Sequence, residues 1–223
     1  MKLSKSQEKI ILSLHTKKGR KKHGKCLVEG KKILDTAGDA VEYFFNKNEI
    51  DNFDRLVTTQ TAQDVAGVAK IPKWTIDNVK KNKIIIVLDG VQDPGNVGTI
   101  LRLCLGFDAS LVLIESADPT SPKVVRSSVG AMFNVPWIEI NRADALNLIK
   151  SINRKVYKLE KRDGAIEIQK IDFDKNIIII AGSEGFGISI PIRCESMYIK
   201  HSNKLESLNV ASALSIALYN IKQ

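Results

Sequence analysis

Ile84-Ile85-Ile86-Val87-Leu88-Asp89-Gly90-Val91-Gln92-Asp93-Pro94-Gly95-Asn96-Val97-Gly98 begins with five apolar residues, four of them β-branched, and shows no polar alternation. A run of that kind predicts a strand buried on both faces, as in a parallel sheet. Asp, Gly and Pro then punctuate the chain, and a helical pattern follows over residues 96–107, carrying Arg102. Strand, glycine-containing loop and helix in that order form half of a βαβ unit.

Working outward, Ile177-Ile178-Ile179-Ile180-Ala181 repeats the doubly buried pattern. Further strands are predicted at residues 111–114, 135–138, 156–159 and 197–199, and helices at 123–128, 142–151 and 208–221. Strands alternating with helices predict an α/β fold with a largely parallel sheet. The last helix is apolar over most of its surface, so it is expected to be deeply buried or shared with a second copy. Upstream the elements are smaller. Ser4 and Gln7 are spaced as a capping box before a helix at 5–16. A basic loop is expected at 17–25, strands at 26–28, 41–45 and 67–71, and helices at 30–37 and 59–65. The expected organisation is a small α/β domain at 1–75, a linker at 76–82, and a second α/β domain at 83–223.

Composition narrows the function classes. The chain has 223 residues, 43% hydrophobic and 26% charged, as in ordinary globular proteins. Its apolar runs fall far short of the ~20 residues that span a bilayer, so no membrane association is expected. No apolar segment follows the early lysines as in a secretory signal, and a cytoplasmic protein is expected. Cys26, Cys104 and Cys194 form no paired motif and are expected to be reduced thiols. The net charge is +9 and is unevenly spread: residues 1–81 carry 17 basic and 10 acidic side chains, the remainder 17 and 15. Nine of the basic residues lie in the first 25, against the single acid Glu8. A basic block beside a near-neutral body is the footprint of a polyanion binder. Lys17, Lys18, Arg20, Lys21, Lys22 and Lys25 are the candidate phosphate contacts, contributing affinity rather than sequence choice.

Ligands of open parallel sheets bind beyond the carboxyl ends of the strands. Three such loops are unusual here: 89–98, 182–189 (Gly182-Ser183-Glu184-Gly185-Phe186-Gly187-Ile188-Ser189), and the loop ending Glu206-Ser207-Leu208-Asn209 before the last helix. Glycines allow close backbone approach, and helix N-termini offer unpaired N–H groups. Taken singly, each loop is equally well a turn, a surface arginine or a helix cap. Gly182, Gly185 and Gly187 have the wrong order for a dinucleotide fingerprint. Neither a P-loop nor a Gly-x-Ser-x-Gly elbow is present. His15, His23 and His201 lack metal-ligand spacing, so no metal is expected.

Together the three loops resemble the signature motifs of the SpoU/TrmH-type RNA 2′-O-ribose methyltransferases in the knotted SPOUT superfamily. Asn96, Gly98 and Arg102 match the first motif, Asn-x-Gly-x-x-x-Arg. Gly182, Glu184 and Gly187 match Gly-x-Glu-x-x-Gly, with Ser189 also in place. Ser207, Leu208, Asn209 and Val210 match Ser-Leu-Asn-Val. The resemblance covers about residues 83–223. Upstream, Leu27-Val28-Glu29-Gly30 after the basic arm resembles the family's small ribosomal-protein-like RNA-binding domain. One departure stands out: Ile199-Lys200-His201 replaces the family's usual Ile-Pro-Met.

The resemblance implies a trefoil knot in the C-terminal domain and a homodimer packed through it. It implies S-adenosyl-methionine bound bent against backbone at Gly182, Ile199 and Leu208. Arg102, Asn96, Glu184, Ser207 and Asn209 are the implied catalytic set. The family's proposed role for Arg102 is general base. A guanidinium is not deprotonated in proteins, so an alternative is that it holds a phosphate and stabilises the developing alkoxide. The separate N-terminal domain favours rRNA as substrate. A tRNA enzyme and a non-catalytic RNA-binding assembly factor are the alternatives.

Overall fold

The computed structural model describes residues 3–59 and 63–222. Its first elements are α1 (Lys5–Leu14), α2 (Lys17–His23), β1 (Lys25–Glu29), α3 (Lys31–Ala37), β2 (Val41–Asn46), α4 (Phe53–Leu56), β3 (Val65–Lys70) and α5 (Ile76–Lys81). Then come β4 (Ile84–Asp89), α6 (Pro94–Gly106), β5 (Ala109–Ile114), α7 (Pro122–Ser127), β6 (Trp137–Ile140) and α8 (Arg142–Ile152). The last are β7 (Lys155–Leu159), β8 (Ile166–Glu167), β9 (Ile177–Gly182), β10 (Glu195–Tyr198) and α9 (Val210–Lys222). The chain forms two compact units. One comprises the residues up to Lys73 together with Asp118–Asn134; the other comprises Trp74–Ala117 and the residues from Val135 onward.

In the first unit an antiparallel sheet runs β1-β3-β2. Its core holds Ile11, Leu14, Leu27, Phe45, Phe53, Leu56 and Val68, with the Phe45 and Phe53 rings edge to face at 5.5 Å. Ser4 and Gln7 form the expected capping box on α1. Residues 17–25 differ from the expected loop. Residues 17–23 are helix α2, because Thr16 caps its start by accepting from Gly19 N–H. Gly24 closes it in the left-handed conformation at φ 62°, which glycine adopts without penalty. Gly19 serves close packing: a Cβ there would meet Ser13 O at 1.9 Å. The glycines therefore delimit and pack a helix.

The expected helix at 59–65 lies partly on residues 60–62, outside the described residues; Val65 itself opens β3, and the short helix nearby is α4. The expected linker at 76–82 contains α5, begun by a Thr75–Asn78 capping box. Residues 118–134, expected within the second domain, pack with the first unit, where α7 lies against β1.

The second unit is a seven-stranded sheet ordered β6-β5-β4-β9-β7-β10-β8, with every recorded pair parallel. All six residues of β4 are buried, as are the first five of β9. Burial on both faces explains their unbroken apolar runs. The register runs from Ile84 beside Ile177 to Asp89 beside Gly182. The two central strands thus end level.

Arg20 corrects the reading of the basic segment. It is buried, and its guanidinium donates to Leu14 O at 2.8 Å, Thr120 Oγ1 at 3.1 Å and Asp118 Oδ2 at 2.7 Å. Its donors are committed inside the first unit, which removes it from any phosphate-binding surface. Burial alone would raise the Asp118 pKa, but hydrogen bonds from Arg20 and Thr120 outweigh it and hold the carboxyl below its ordinary value. A depressed carboxylate contributes stability above the unfolded value of about 3.9, and that stability is lost as pH falls through the folded value. Asp118→Asn should therefore destabilise the protein at pH 7 by about 3–5 kcal/mol, leaving Arg20 buried and unpaired. In urea titrations the gap to wild type should narrow below about pH 4. A gap that stays constant down to pH 3 would contradict this account.

Candidate functional site

The level ends of β4 and β9 release two of the motif loops side by side. Asp89, the last residue of β4, is buried yet charged, so its oxygens need donors. The loop after β9 supplies them: Ser189 N–H donates at 2.6 Å and Ile190 N–H at 3.0 Å. Arg142, at the start of α8, adds an ion pair at 2.8 Å and also donates to the Ser189 hydroxyl. Hydrogen bonds to Glu115 and then Asp89 hold the Arg142 pKa above its ordinary value. Ser183 N–H also donates to the Asp89 carbonyl at 3.1 Å. One carboxylate and its own backbone therefore tie both ends of the 183–190 loop to the first loop. Between those ties the loop folds back on itself, Gly187 N–H donating to Ser183 O at 2.9 Å.

The next layer joins all three motif loops. Asp93 caps α6 by accepting from Asn96 N–H at 2.8 Å, which fixes Asn96 in the first helical turn. The Asn96 side chain donates to Glu184 Oε1 at 3.3 Å. Asn209 Nδ2 lies 2.9 Å from both Asn96 Oδ1 and Glu184 Oε1. Asn209 Oδ1 meanwhile accepts from Ala211 and Ser212 N–H, in the manner of an N-cap of α9. Asn209 therefore caps α9, and the Ser207 hydroxyl lies outside the cap.

Beside this triangle lies a cleft of about 260 Å³. Its wall includes Gly182, Glu184, Ile199, Ser207 and Leu208, all named from sequence. Leu159, Ile188 and Val210 add apolar surface. Three carboxylates, Glu160, Glu184 and Glu206, face it against one lysine, Lys161, a balance that favours a cationic ligand. Gly182 has no room for a side chain: a Cβ there would meet the Gly187 carbonyl carbon and oxygen at 2.1 Å.

Arg102 is not part of the cleft wall. It is exposed on α6, and its position six residues after Asn96 turns it roughly 240° away around the helix. Lys17, Lys18, Lys21 and Lys22 are exposed on α2, whereas Lys25 is half-buried and ion-paired with Glu42 at 2.5 Å.

Comparison with known proteins adds to this geometry. The model of the SpoU rRNA Methylase family matches residues 83–219. The chain belongs to that family. It is 29% identical over 234 residues to the 23S rRNA (guanosine(2553)-2′-O)-methyltransferase RlmP of Bacillus subtilis, covering 94% of this chain and 93% of that protein. A solved TrmH-family RNA methyltransferase structure from Porphyromonas gingivalis is 30% identical, with a TM-score of 0.82 and coverage of 99% and 98%. An AdoMet-bound rRNA methyltransferase from Sinorhizobium meliloti shares the fold at 22% identity, with a TM-score of 0.86 and coverage of 100% and 96%.

In this SpoU-family chain, the sequence reading missed the Asp89–Arg142–Ser189 network. An acid closing an apolar strand was the available signal for Asp89. Nothing local marked Arg142, which reaches Asp89 across 53 residues. Gly182→Ala offers a direct test of the cleft. The added methyl must displace loop backbone, at about 1–3 kcal/mol if typical of overpacking. The variant should retain the sheet by circular dichroism while losing S-adenosyl-homocysteine binding by at least about tenfold in calorimetry. Unchanged affinity would separate the 182–189 loop from ligand binding.

Proposed function

We propose that the chain is an S-adenosyl-methionine-dependent RNA ribose-2′-O-methyltransferase acting on rRNA. The observation that carries this reading is the hydrogen-bonded triangle Asn96–Glu184–Asn209, which joins the three motif loops at the rim of one cleft. Family membership and the near full-length likeness to an enzyme named for 23S rRNA support the same reading.

The cleft fits the cofactor by charge and by shape. Its excess of carboxylates suits a sulfonium cation, and the bare backbone at Gly182 allows close approach. Gly182, Ile199 and Leu208 would hold it through backbone, as the resemblance implies. When bound, the cofactor supplies an electrophilic methyl group on a good leaving group. The protein's task is then to hold a ribose hydroxyl in line; good orientation is worth ~7–11 kcal/mol in intramolecular models. Glu184 and Asn209 keep the loops in register for that alignment, and Ser207 presents a hydroxyl on the same wall. The Arg102 side chain has no hydrogen bond or ion pair to another described residue, so its guanidinium is available to an RNA phosphate. In that role it anchors the target nucleotide and stabilises the negative charge that develops on the ribose oxygen while its proton passes to solvent.

The first unit is the RNA-binding domain in this reading, with Lys17, Lys18, Lys21 and Lys22 on one short helix as its phosphate contacts. The second unit carries a trefoil knot in its C-terminal part; support comes from β10, which follows β9 in sequence yet lies between β7 and β8. It pairs with a second copy through the packed α6 and α9, where Leu105, Ile216 and Tyr219 expose apolar surface. Among the described residues, no helix is long and apolar enough to cross a membrane. A cytoplasmic location fits ribosomal RNA as substrate.

Transfer of labelled methyl to RNA lacking the modification tests the reaction. Label should enter rRNA, resist alkali as ribose methylation does, and fall by at least about a hundredfold in Arg102→Ala, the scale seen on removing one oxyanion-stabilising donor. Arg102→Lys should also be severely impaired if two-pronged phosphate binding matters. Label in tRNA alone would move the substrate, and no label in naked RNA or assembling ribosomal particles would leave a non-catalytic RNA binder. For the basic helix, replacing Lys17, Lys18, Lys21 and Lys22 with Gln should flatten the log–log salt dependence of RNA affinity. The slope should fall by about 0.7 for each single-strand phosphate that is no longer neutralised. An unchanged slope would remove α2 from the RNA interface.

A further inference from the structure

Phe186 stands at the tip of the loop after β9, and it lies almost wholly in solvent, at 95% exposure. The second motif, Gly-x-Glu-x-x-Gly, leaves its position open, so the ring is particular to this chain and not set by the pattern. The backbone that presents it is held. Phe186 N–H donates to Ser183 Oγ at 3.2 Å, and Gly187 N–H donates to Ser183 O at 2.9 Å. Gly187 closes the turn at a positive φ of 64°. Two residues before the ring, Glu184 is fixed by Asn96 and Asn209. Gly182, Ser183, Glu184, Gly187 and Ile188 line the cleft, whereas Phe186 does not. The flanking Gly185 and Gly187 carry no side chain to cover the ring, and a Cβ at either would meet nothing within 4 Å. The fold therefore gains no apolar burial from this side chain, yet it holds the backbone beneath it in a fixed turn beside the cleft.

A lone exposed ring fits a nucleobase better than a protein surface. Interfaces between folded proteins bury about 800 Å² on each side. Among the described residues of its loop, Phe186 is the one large apolar side chain exposed, and a phenylalanine supplies only about 150–250 Å². That is area for one flat partner and not for an interface core. Single-stranded RNA is recognised by splaying bases out and stacking them on aromatic side chains, a contact that needs an open ring face on a fixed mount. Chemistry sets where such a ring must stand: the base hangs from the ribose carbon next to the one that bears the 2′-hydroxyl. An aromatic that holds the base therefore belongs close to the group that receives the methyl. We propose that Phe186 stacks on a base of the substrate rRNA and so holds the reacting ribose at the cleft. The inference rests on the reading of the chain as an rRNA ribose methyltransferase. Every base has a π-face, so the ring contributes grip on an unpaired nucleotide and not sequence choice.

Substitutions at residue 186 separate a stacked ring from apolar bulk and from loop shape. With rRNA that lacks the modification as substrate, naked or in assembling particles, Phe186→Ala should lower kcat/KM for RNA by about five- to a hundredfold. Phe186→Leu should lose nearly as much, since it keeps apolar bulk without a flat face, whereas Phe186→Tyr should stay within about threefold of wild type. Affinity for S-adenosyl-homocysteine by calorimetry should stay within about twofold in all three variants, because the ring is not part of the cleft wall. A loss restored by Leu, no loss in Ala, a Tyr variant as poor as Ala, or S-adenosyl-homocysteine binding that falls in parallel would overturn the proposal. So would sedimentation in which Phe186→Ala weakens self-association of the chain as much as its use of RNA, the sign that the ring meets a second copy. A binding measurement frees the test from turnover. In Phe186→Trp, the same rRNA added with S-adenosyl-homocysteine should quench indole emission beyond the change seen in wild type, which carries only Trp74 and Trp137; bound rRNA without that added quenching overturns the proposal. If wild type neither methylates nor binds the rRNA, the rRNA reading fails and takes this inference with it, an outcome distinct from RNA binding that ignores Phe186.

Discussion

A carboxylate withdrawn from water must find its hydrogen bonds within the protein, and Asp89 finds them on a loop 100 residues further along the chain. Ser189 and Ile190 donate their backbone N–H groups to it, and Arg142 balances its charge. The parallel register that sets Asp89 beside Gly182 makes this possible, because both strands then end at one height. The loop tied down there carries Glu184, the acceptor on which Asn96 and Asn209 converge. The site follows from that first constraint. Sheet register places two loops, a buried charge fixes one to the other, and the helix caps Asp93 and Asn209 orient the asparagines that join the third.

The charge pattern divides the molecule's chemistry. The cleft wall carries more acids than bases, which suits a sulfonium-bearing cofactor, whereas α2 exposes four lysines suited to a polyanion. Local sequence does not decide which basic residues serve which purpose. Arg20 lies among those lysines, yet it is turned inward because the 118–134 segment brings Asp118 and Thr120 to it. Its planar fork of donors satisfies three oxygens at once, which a lysine's point charge does less well. Glu29 shows the same segment at work. It is buried and receives Arg126 at 3.1 Å and the Thr58 N–H at 3.0 Å. The first unit therefore depends on a stretch of chain that follows the first two strands of the parallel sheet.

The amino-acid sequence by itself determined the parallel sheet, since runs such as 84–88 and 177–181 have no stable place except between two covering layers. It also marked the three loops and, through them, Gly182, Glu184, Ile199, Ser207 and Leu208 of the cleft wall, because glycines and helix-capping side chains act over a few residues and leave local marks. Its errors were local marks with more than one meaning. Gly19 and Gly24 signal a loop as readily as a close helix contact and a C-cap, and the polar stretch after Pro72 conceals the capped helix α5. Only the tertiary structure decided the rest: the inward turn of Arg20, the clasp of Arg142 on Asp89, the exposure of Arg102 outside the cleft wall, and the unpartnered nitrogen of His201. Each of these depends on what a side chain meets from a distant part of the chain. Hydrogen bonding and desolvation act through space, so their outcome is fixed only when the fold has brought donor, acceptor and solvent boundary together.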